Sequence, residues 1–436
     1  MTMAPAVLTR QTNQALGLGR YAISFIEAGE PSQAVIERTS MFVTDATFCG
    51  LSAIALKTNA PTVLRQQALD SRPNRFTLGN VTQEGVTIFG STELVCPLEA
   101  TLADCNAVRE WDSNGTNFGY DPVRGNTAGE FGHNDFYPAI FNAAQMCGCD
   151  GATLMRALIC VDTIRGRLAE VFSLKTYKID HVLHGGIATA AVVGALLGAT
   201  AEQIESAIGY TVAHHVPFRA IRAGKDLSDS KGASAAITAT AAFKGVLLSM
   251  RGFNGPRDIF RNPEAIFRLF EGPGQMLAPI DTDGTLKLPP NVERLDESPF
   301  DLEMPMAGDD FPIMGMHIKL ALYEHQSAGA VHAVISLLEQ NPSLLEGGLD
   351  RIKEILILAY EPAFGIIGDP AKMTPGTRQS ADHSMPYIVG TLIRKALKQK
   401  GASWLSLMLE PMDYHRDVLE HPATRALMEK VRFKHG

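Results

Sequence analysis

Between Thr176 and Gly232 the chain reads TYKIDHVLHGGIATAAVVGALLGATAEQIESAIGYTVAHHVPFRAIRAGKDLSDSKG. From Gly185 to Leu197 no side chain is charged and most are small. The stretch predicts a helix built almost wholly of Gly, Ala, Thr, Val and Leu, part of a tightly packed helical core. Small side chains let neighbouring backbones approach closely. Asp180, His181, Arg219, Arg222 and Lys231 cluster around this stretch in sequence. Guanidinium groups fork onto carboxylates, and His or Lys moves protons once burial tunes it. The pattern suits a site for an anionic small molecule.

A chain of 436 residues exceeds one typical core, which predicts one large and one smaller domain. Hydrophobic residues make up 45% and charged residues 20%, as in ordinary globular proteins. A net charge of −8 with only short, scattered basic clusters argues against nucleic acid or an anionic membrane as partner. Gly and Thr dilute even Ile187–Leu197, so no apolar run is read as a membrane span. Arg10 and Arg20, with no acid before Glu27, give the N-terminus a faint transit-peptide character. A cytoplasmic location is expected, or a mitochondrial one if the source is eukaryotic. The six cysteines form no CxxC, and Cys147-Gly-Cys149 is too little for a zinc or iron–sulfur site. They read as reduced thiols, and neither a metal nor a cofactor is expected.

Helical spacing covers residues 12–30 and 33–56, and Thr200 with Gln203 forms a capping box. A further small-residue helix is predicted from about Ser234 to Arg251, stopped by Gly252. Residues 271–313 are rich in Pro, Gly and Asp and read as a long irregular connection. Beyond it the pattern alternates. His317–Leu322 predicts a strand, Ser327–Glu339 a helix, and Arg351–Tyr360 a strand; Ala381–Lys400 and Pro422–Phe433 predict helices. The fold expected is mostly α: an all-helical domain over 1–315 and a smaller α/β domain over 316–436.

Each chemical group has two readings. Asp112, Asn114 and Thr116 make either a catalytic loop or an Asx-type turn, and His133 either acts chemically or caps a helix. Asp180 beside His181 is an acid/base pair or an N-cap with a neighbouring imidazole. His181 and His184 also make an HxxH, but no third ligand has metal spacing. His214 and His215 face different ways on a helix and read as structural. Arg219 and Arg222, three apart, suit a dicarboxylate or tricarboxylate, or else a surface salt-bridge cluster. Lys231 opens a helix, where a cation opposes the helix dipole unless something compensates. Glu324-His325 and Asp382-His383 close a cleft or end helices in solvent.

The order of these motifs resembles the 2-methylcitrate dehydratase (MmgE/PrpD) family, which includes cis-aconitate decarboxylase and iminodisuccinate epimerase. The resemblance rests on Trp111-Asp-Ser-Asn-Gly-Thr116, Glu130-Phe-Gly-His133, Ile179-Asp-His-Val-Leu183, Phe218-Arg-Ala-Ile-Arg222 and Ser230-Lys231. It continues more loosely through Lys319 to Val331 and Ala381-Asp-His383. It implies a large helical domain with an α/β lid, a homodimer and a cofactor-free site. Active-site positions would fall on Asp112, His133, His181, Lys231 and Glu324-His325. The family often carries a second acid where this chain has Gly115, and its decarboxylases carry a lid-strand tyrosine where Phe364 stands. Its chains usually continue further than Gly436, so a shortened lid is expected.

The reaction so implied is dehydration of 2-methylcitrate or a related alkylcitrate to the cis-aconitate analogue. Such β-elimination needs a base for the carbon-bound proton, cations for the enediolate and an acid for the leaving hydroxyl. Arg219, Arg222 and Lys231 are expected to hold carboxylates, with Glu324 also lining the substrate. His181, His133 and His325 are expected to handle protons, with Asp112 orienting; Lys231 is an alternative base. The same groups would serve an iminodisuccinate-type epimerase or a cis-aconitate-type decarboxylase. A non-catalytic paralogue that binds carboxylates is the remaining reading.

Overall fold

The computed structural model describes residues 4–73, 76–78, 81–118, 130–222, 226–269, 297–360, 363–399 and 403–436. Residues 271–296 of the expected irregular connection, and most of the glycine-rich loop after Thr116, lie outside them. The described chain is mostly helical and falls into two compact units. The first comprises residues 1–110, 114–219 and 233–318; the second comprises 111–113, 220–232 and 319–436.

Among the described residues the long helices of the first unit are α1 (Gln14–Ala28), α2 (Gln33–Ala55), α3 (Asn59–Asp70), α4 (Pro97–Arg109), α5 (Tyr137–Cys147), α6 (Gly151–Val171), α7 (Val182–Leu196), α8 (Ala201–His214) and, from Ala233 on, α9 (Ser230–Ser249). Side chains set several starts. Asn13, Ser32 and Asp150 accept bonds from the backbone N–H three residues on, at 3.1, 3.3 and 2.8 Å. Thr200 and Gln203 complete the reciprocal capping box that opens α8. The apolar α7 packs on α1, α5, α6 and α8, and nearly every residue is buried. Its glycines make room for neighbours: a Cβ at Gly185 would lie 2.2 Å from the Phe136 ring.

Helix α9 starts at Ser230, four residues before the sequence reading, because Lys231 belongs to its first turn. By length and composition α9 could cross a membrane, with a mean hydropathy of 1.2, but 67% of that window is buried inside the protein. Its apolar character is that of a core helix.

In the second unit, α10 (Ala328–Gln340), the short α11 (Arg378–Ala381), α12 (Met385–Gln399) and α13 (Pro422–Met428) accompany two strands, β1 (Ile355–Ala359) and β2 (Val431–His435). The strands pair in parallel, Ile355 opposite Val431 and Ala359 opposite His435. Helix α12 is amphipathic and supplies the centre. Tyr387, Ile388 and Leu392 pack with α10, while Met385, Val389 and Ile393 pack under β1.

Three sequence expectations are corrected. Residues 317–322 form no strand; His317 makes a single bridge to Thr116, and the chain then bends so that Lys319 points inward. The helix expected over 422–433 stops at Met428, and Val431–His435 is a strand whose alternation of Val and Phe with charge has period two. Phe364 lies on the short helix Ala363–Ile366 that follows β1, not on a strand.

Close packing of α8 generates a direct test. A Cβ at Gly209 would sit 1.7 Å from the Pro256 carbonyl oxygen, a backbone atom that cannot swing aside, whereas Gly151 has nothing within 4 Å. Gly209→Ala should cost roughly 1–3 kcal/mol, the usual penalty of overpacking. Gly151→Ala should shift stability by less than about 0.5 kcal/mol. Urea denaturation followed by circular dichroism compares the two; equal midpoints would contradict the close approach.

Candidate active site

Lys231 is the organising residue of the second unit's polar centre. It is 2% exposed, and its Nζ donates to Asp382 Oδ1 at 2.8 Å and lies 3.4 Å from Asp112 Oδ2. The backbone secures this approach. Leu227 N–H donates to Ser380 Oγ at 2.7 Å, Thr377 Oγ1 donates to the Leu227 carbonyl at 3.0 Å, and Gly376 N–H donates to Asp226 Oδ1 at 3.0 Å. Gln379 adds a side-chain bond to Asp229 at 2.9 Å. The segment before Lys231 is thereby laced to the one before Asp382. Two carboxylates compensate the cation's unfavourable place in a helix's first turn.

Asp112 enters from a residue with φ of 49°, a left-handed conformation that Asp tolerates better than most side chains. Its Oδ1 lies 3.2 Å from Lys319 Nζ, which also donates to the Asp112 carbonyl and, at 3.3 Å, to that of Tyr323. His383 spans the two acids: Nδ1 is 2.6 Å from Asp382 Oδ1 and Nε2 is 3.4 Å from Asp112 Oδ2. Arg378, one helical turn before Asp382, donates from Nη1 to its Oδ2 at 3.1 Å and lies over the Trp111 ring, 5.1 Å from its centroid. Within pairing distance, then, three cationic side chains face two carboxylates.

Burial sets the protonation states. Burial lowers the Lys231 pKa from the usual lysine range, opposed by Asp382 and Asp112 and aided by Arg378. Burial alone would raise Asp382, but Lys231, His383 and Arg378 together bring it below its usual value. His383 is lowered to about 3 by burial and by Lys231, so its imidazole is neutral. One atom each from Asp112, Asp382 and His383 come within 4.8 Å of one another, close enough for a metal ion. The carboxylates there pair with the Lys231 and Lys319 ammonium groups, which such an ion would have to displace.

Of the expected residues, the structure brings Asp112 and Lys231 together. Glu324 is near: its N–H donates to the Asp382 carbonyl at 2.8 Å, while its own Oε2 accepts from Gln326 N–H at 2.7 Å. His325 follows on the same short turn and is half-buried. Arg219 and Arg222 end one 3-10 turn, both half-buried, with Arg219 N–H donating to the Lys178 carbonyl at 2.9 Å.

The first unit holds the other two histidines. His181 is 2% exposed, but Asp180 Oδ1 is 3.6 Å from its Nδ1, beyond hydrogen-bond length, and that oxygen instead accepts from Val182 N–H at 3.3 Å. His184, the other half of the HxxH, bonds Glu130 Oε1 at 2.9 Å. His133 meets the Phe42 ring edge-on at 4.3 Å and lies 3.9 Å from Asp162. Burial and then Arg165 push its pKa well below the usual range. A Cβ at Gly115 would fall 2.2 Å from the His133 ring. No side chain, acidic or otherwise, can replace Gly115 while His133 keeps this place.

Sequence reasoning left Lys319, Arg378, Asp382 and His383 out of the expected set. Lys319 had a signal, a lone charge in the apolar run Met316–Leu322, and Arg378 stands four before Asp382. Asp382-His383, expected as a lid pair or a solvated helix end, is buried, the two residues being 1% and 5% exposed.

The chain matches the MmgE/PrpD N-terminal domain over residues 20–276 and the MmgE/PrpD C-terminal domain over residues 323–435. It belongs to the MmgE/PrpD family. Family membership supports a citrate-like hydro-lyase or related activity.

Neutral His383 has a consequence for acid stability. Unfolded, it protonates near 6.5; folded, only near 3, so between these values the unfolded chain binds the extra proton. Stability is therefore lost as pH falls through this window, and Asp382, held low, adds a loss as pH falls through its folded pKa. Asp104 and Asp162, raised by burial to about 7 and about 8, act in the opposite sense, so the diagnostic quantity is a difference. Wild type should lose a few kcal/mol more than His383→Gln between pH 6.5 and 3, read from urea midpoints. Parallel curves would show that His383 is not buried in its neutral form.

Proposed function

We propose that this chain is a hydro-lyase that dehydrates 2-methylcitrate or a related alkylcitrate to the cis-aconitate analogue, with protein side chains as acid and base. The observation that carries the reading is Lys231, buried between Asp112 and Asp382 with the neutral imidazole of His383 against both. A carbon-bound proton next to a carboxylate is weakly acidic. Its removal requires a nearby base and fixed positive charge where the enediolate develops. Lys231 rests as an ammonium group between the two carboxylates and is assigned as the proton acceptor once it has passed that proton to Asp112 or Asp382, a transfer that its lowered pKa eases. Lys319 supplies fixed charge. The departing hydroxyl takes its proton from His181, and Arg219 and Arg222 hold outlying carboxylates. His133, locked against Phe42, is assigned to support of the Gly115 turn.

The test is incubation of the purified full chain with 2-methylcitrate, following ultraviolet absorbance for a new conjugated alkene and NMR in deuterated water for the product. Alkene formation supports the reading. Deuterium exchange with inversion would move the assignment to an epimerase, and carbon dioxide release to a decarboxylase. Lys231→Ala and His181→Ala should each lower turnover at least about a hundredfold. Lys231→Arg keeps the ion pairs but cannot give up its proton, so a folded, inactive Lys231→Arg protein separates proton transfer from structural support. Near-normal turnover in any of the three removes that residue from the chemistry.

A further inference from the structure

A single carboxylate fastens the loop that follows Asp112 to helix α2. Asp45, half-buried on that helix, accepts two hydrogen bonds on one oxygen: its Oδ2 takes the Gly115 N–H at 3.0 Å and the Asn134 side-chain amide at 2.8 Å. Asn134 is fully buried and extends the tie. It donates to the Phe42 carbonyl at 3.1 Å and accepts from Asn114 Nδ2 at 2.9 Å. Asn114 also donates to Asp135 Oδ1. The loop and the turn His133–Phe136 are thereby held to the same helix.

The backbone of the loop is tied along its length. Gly132 N–H donates to the Gly115 carbonyl at 2.8 Å, and Thr116 exchanges both backbone bonds with His317 at 3.1 Å. Ser113 Oγ donates to the Ala321 carbonyl at 3.2 Å, and Lys319 Nζ donates to the Asp112 carbonyl. Within these anchors Asp112 keeps its φ of 49°, a conformation that persists only where the surroundings over-determine it. The tie to Asp45 ends on an ionised acceptor, the stronger kind of hydrogen bond. Taking that acceptor away frees the backbone three residues after Asp112. A displacement of about 1 Å at a reacting group costs on the order of a hundredfold in rate.

We propose that Asp45 is a positioning residue for proton transfer between Lys231 and Asp112, setting the place of the Asp112 carboxylate by holding the loop that carries it. The inference rests on the reading of Lys231 and Asp112 as a proton-moving pair. Asp45 acts on the backbone of the loop; the chemistry stays with Lys231 and Asp112.

A double-mutant cycle in the full chain tests it. With 2-methylcitrate as substrate, Asp45→Ala should lower kcat at least about tenfold and change KM less than about twofold. Asp45→Asn, which keeps an oxygen able to accept both bonds, should recover most of that loss. Asp45→Glu keeps the charge but moves the acceptor, so it should be as slow as Asp45→Ala and serves where the alanine variant does not fold. The double variant Asp45→Ala/Asp112→Ala should be no slower than Asp112→Ala alone. Ser32→Ala removes the N-cap of the same helix and should lower stability without changing kcat. Unchanged kcat in Asp45→Ala, a change in KM alone, losses that multiply in the double variant, or an equal fall in Ser32→Ala would overturn the role. The cycle is read a second time on Lys231, as its rate of acetylation by acetic anhydride mapped by mass spectrometry. Asp45→Ala should change that rate in the same direction as Asp112→Ala and add nothing to it in the double variant. This coupling in a protein that leaves 2-methylcitrate unchanged would sink the proposed reaction and keep the positioning role. Turnover of 2-methylcitrate with Lys231 reactivity indifferent to Asp45 would do the reverse.

Discussion

An ammonium group taken out of water costs several kcal/mol unless carboxylates meet it at close range, and Lys231 obeys that constraint throughout. Asp382 and Asp112 face it from different parts of the chain, and each acid has further partners of its own: Arg378 and His383 for one, Lys319 and His383 for the other. Removing Lys231 takes from both acids the cation they share. The backbone ties between 226–229 and 376–380 belong to the same requirement, because a pair at 2.8 Å tolerates little drift.

The small-residue helices answer a different constraint, that of packing. Helix α7 has no polar face to show to water, so other helices cover it, and their approach is set by missing side chains. Phe136 lies where a Cβ of Gly185 would be, and Ile204 approaches Gly194 in the same way. Beside this core the first unit keeps a second buried polar group: Arg165 donates to the Gly132 carbonyl at 2.9 Å, and Tyr137 donates to Asp162 at 2.5 Å. These bonds fix the turn that carries His133. Its ring in turn excludes any side chain at Gly115.

Much of the helical architecture was legible because its signals are local. The Thr200 capping box, the apolar spacing of α1 and α2, and the unbroken apolar run of α7 each lie within one element and report it directly. Elements that depend on a distant partner were harder. Val431–His435 exists as a strand because Ile355–Ala359 lies beside it; in sequence it merges with the helical pattern of Pro422–Met428. Residues 317–322 begin with a polar–apolar alternation that reads as a strand yet form none, and Lys319 turns inward to reach Asp112.

The candidate site divides along the same line. Lys231 could be singled out from sequence because a cation in a helix's first turn contradicts a local rule, and Asp112 stood in a recognisable motif. The sequence by itself determined a helical core, a soft boundary toward an α/β segment, and a set of acids and bases suited to a carboxylate ligand. Only the tertiary structure decided which of them share charge. Asp382 and His383 look like any polar pair at a helix end until burial and Lys231 fix their protonation, and Arg378 gains meaning through Trp111, far away in the chain. Propensity and capping act over a few residues and are written locally. Ion pairing and desolvation act through space, between residues that the sequence leaves hundreds of positions apart.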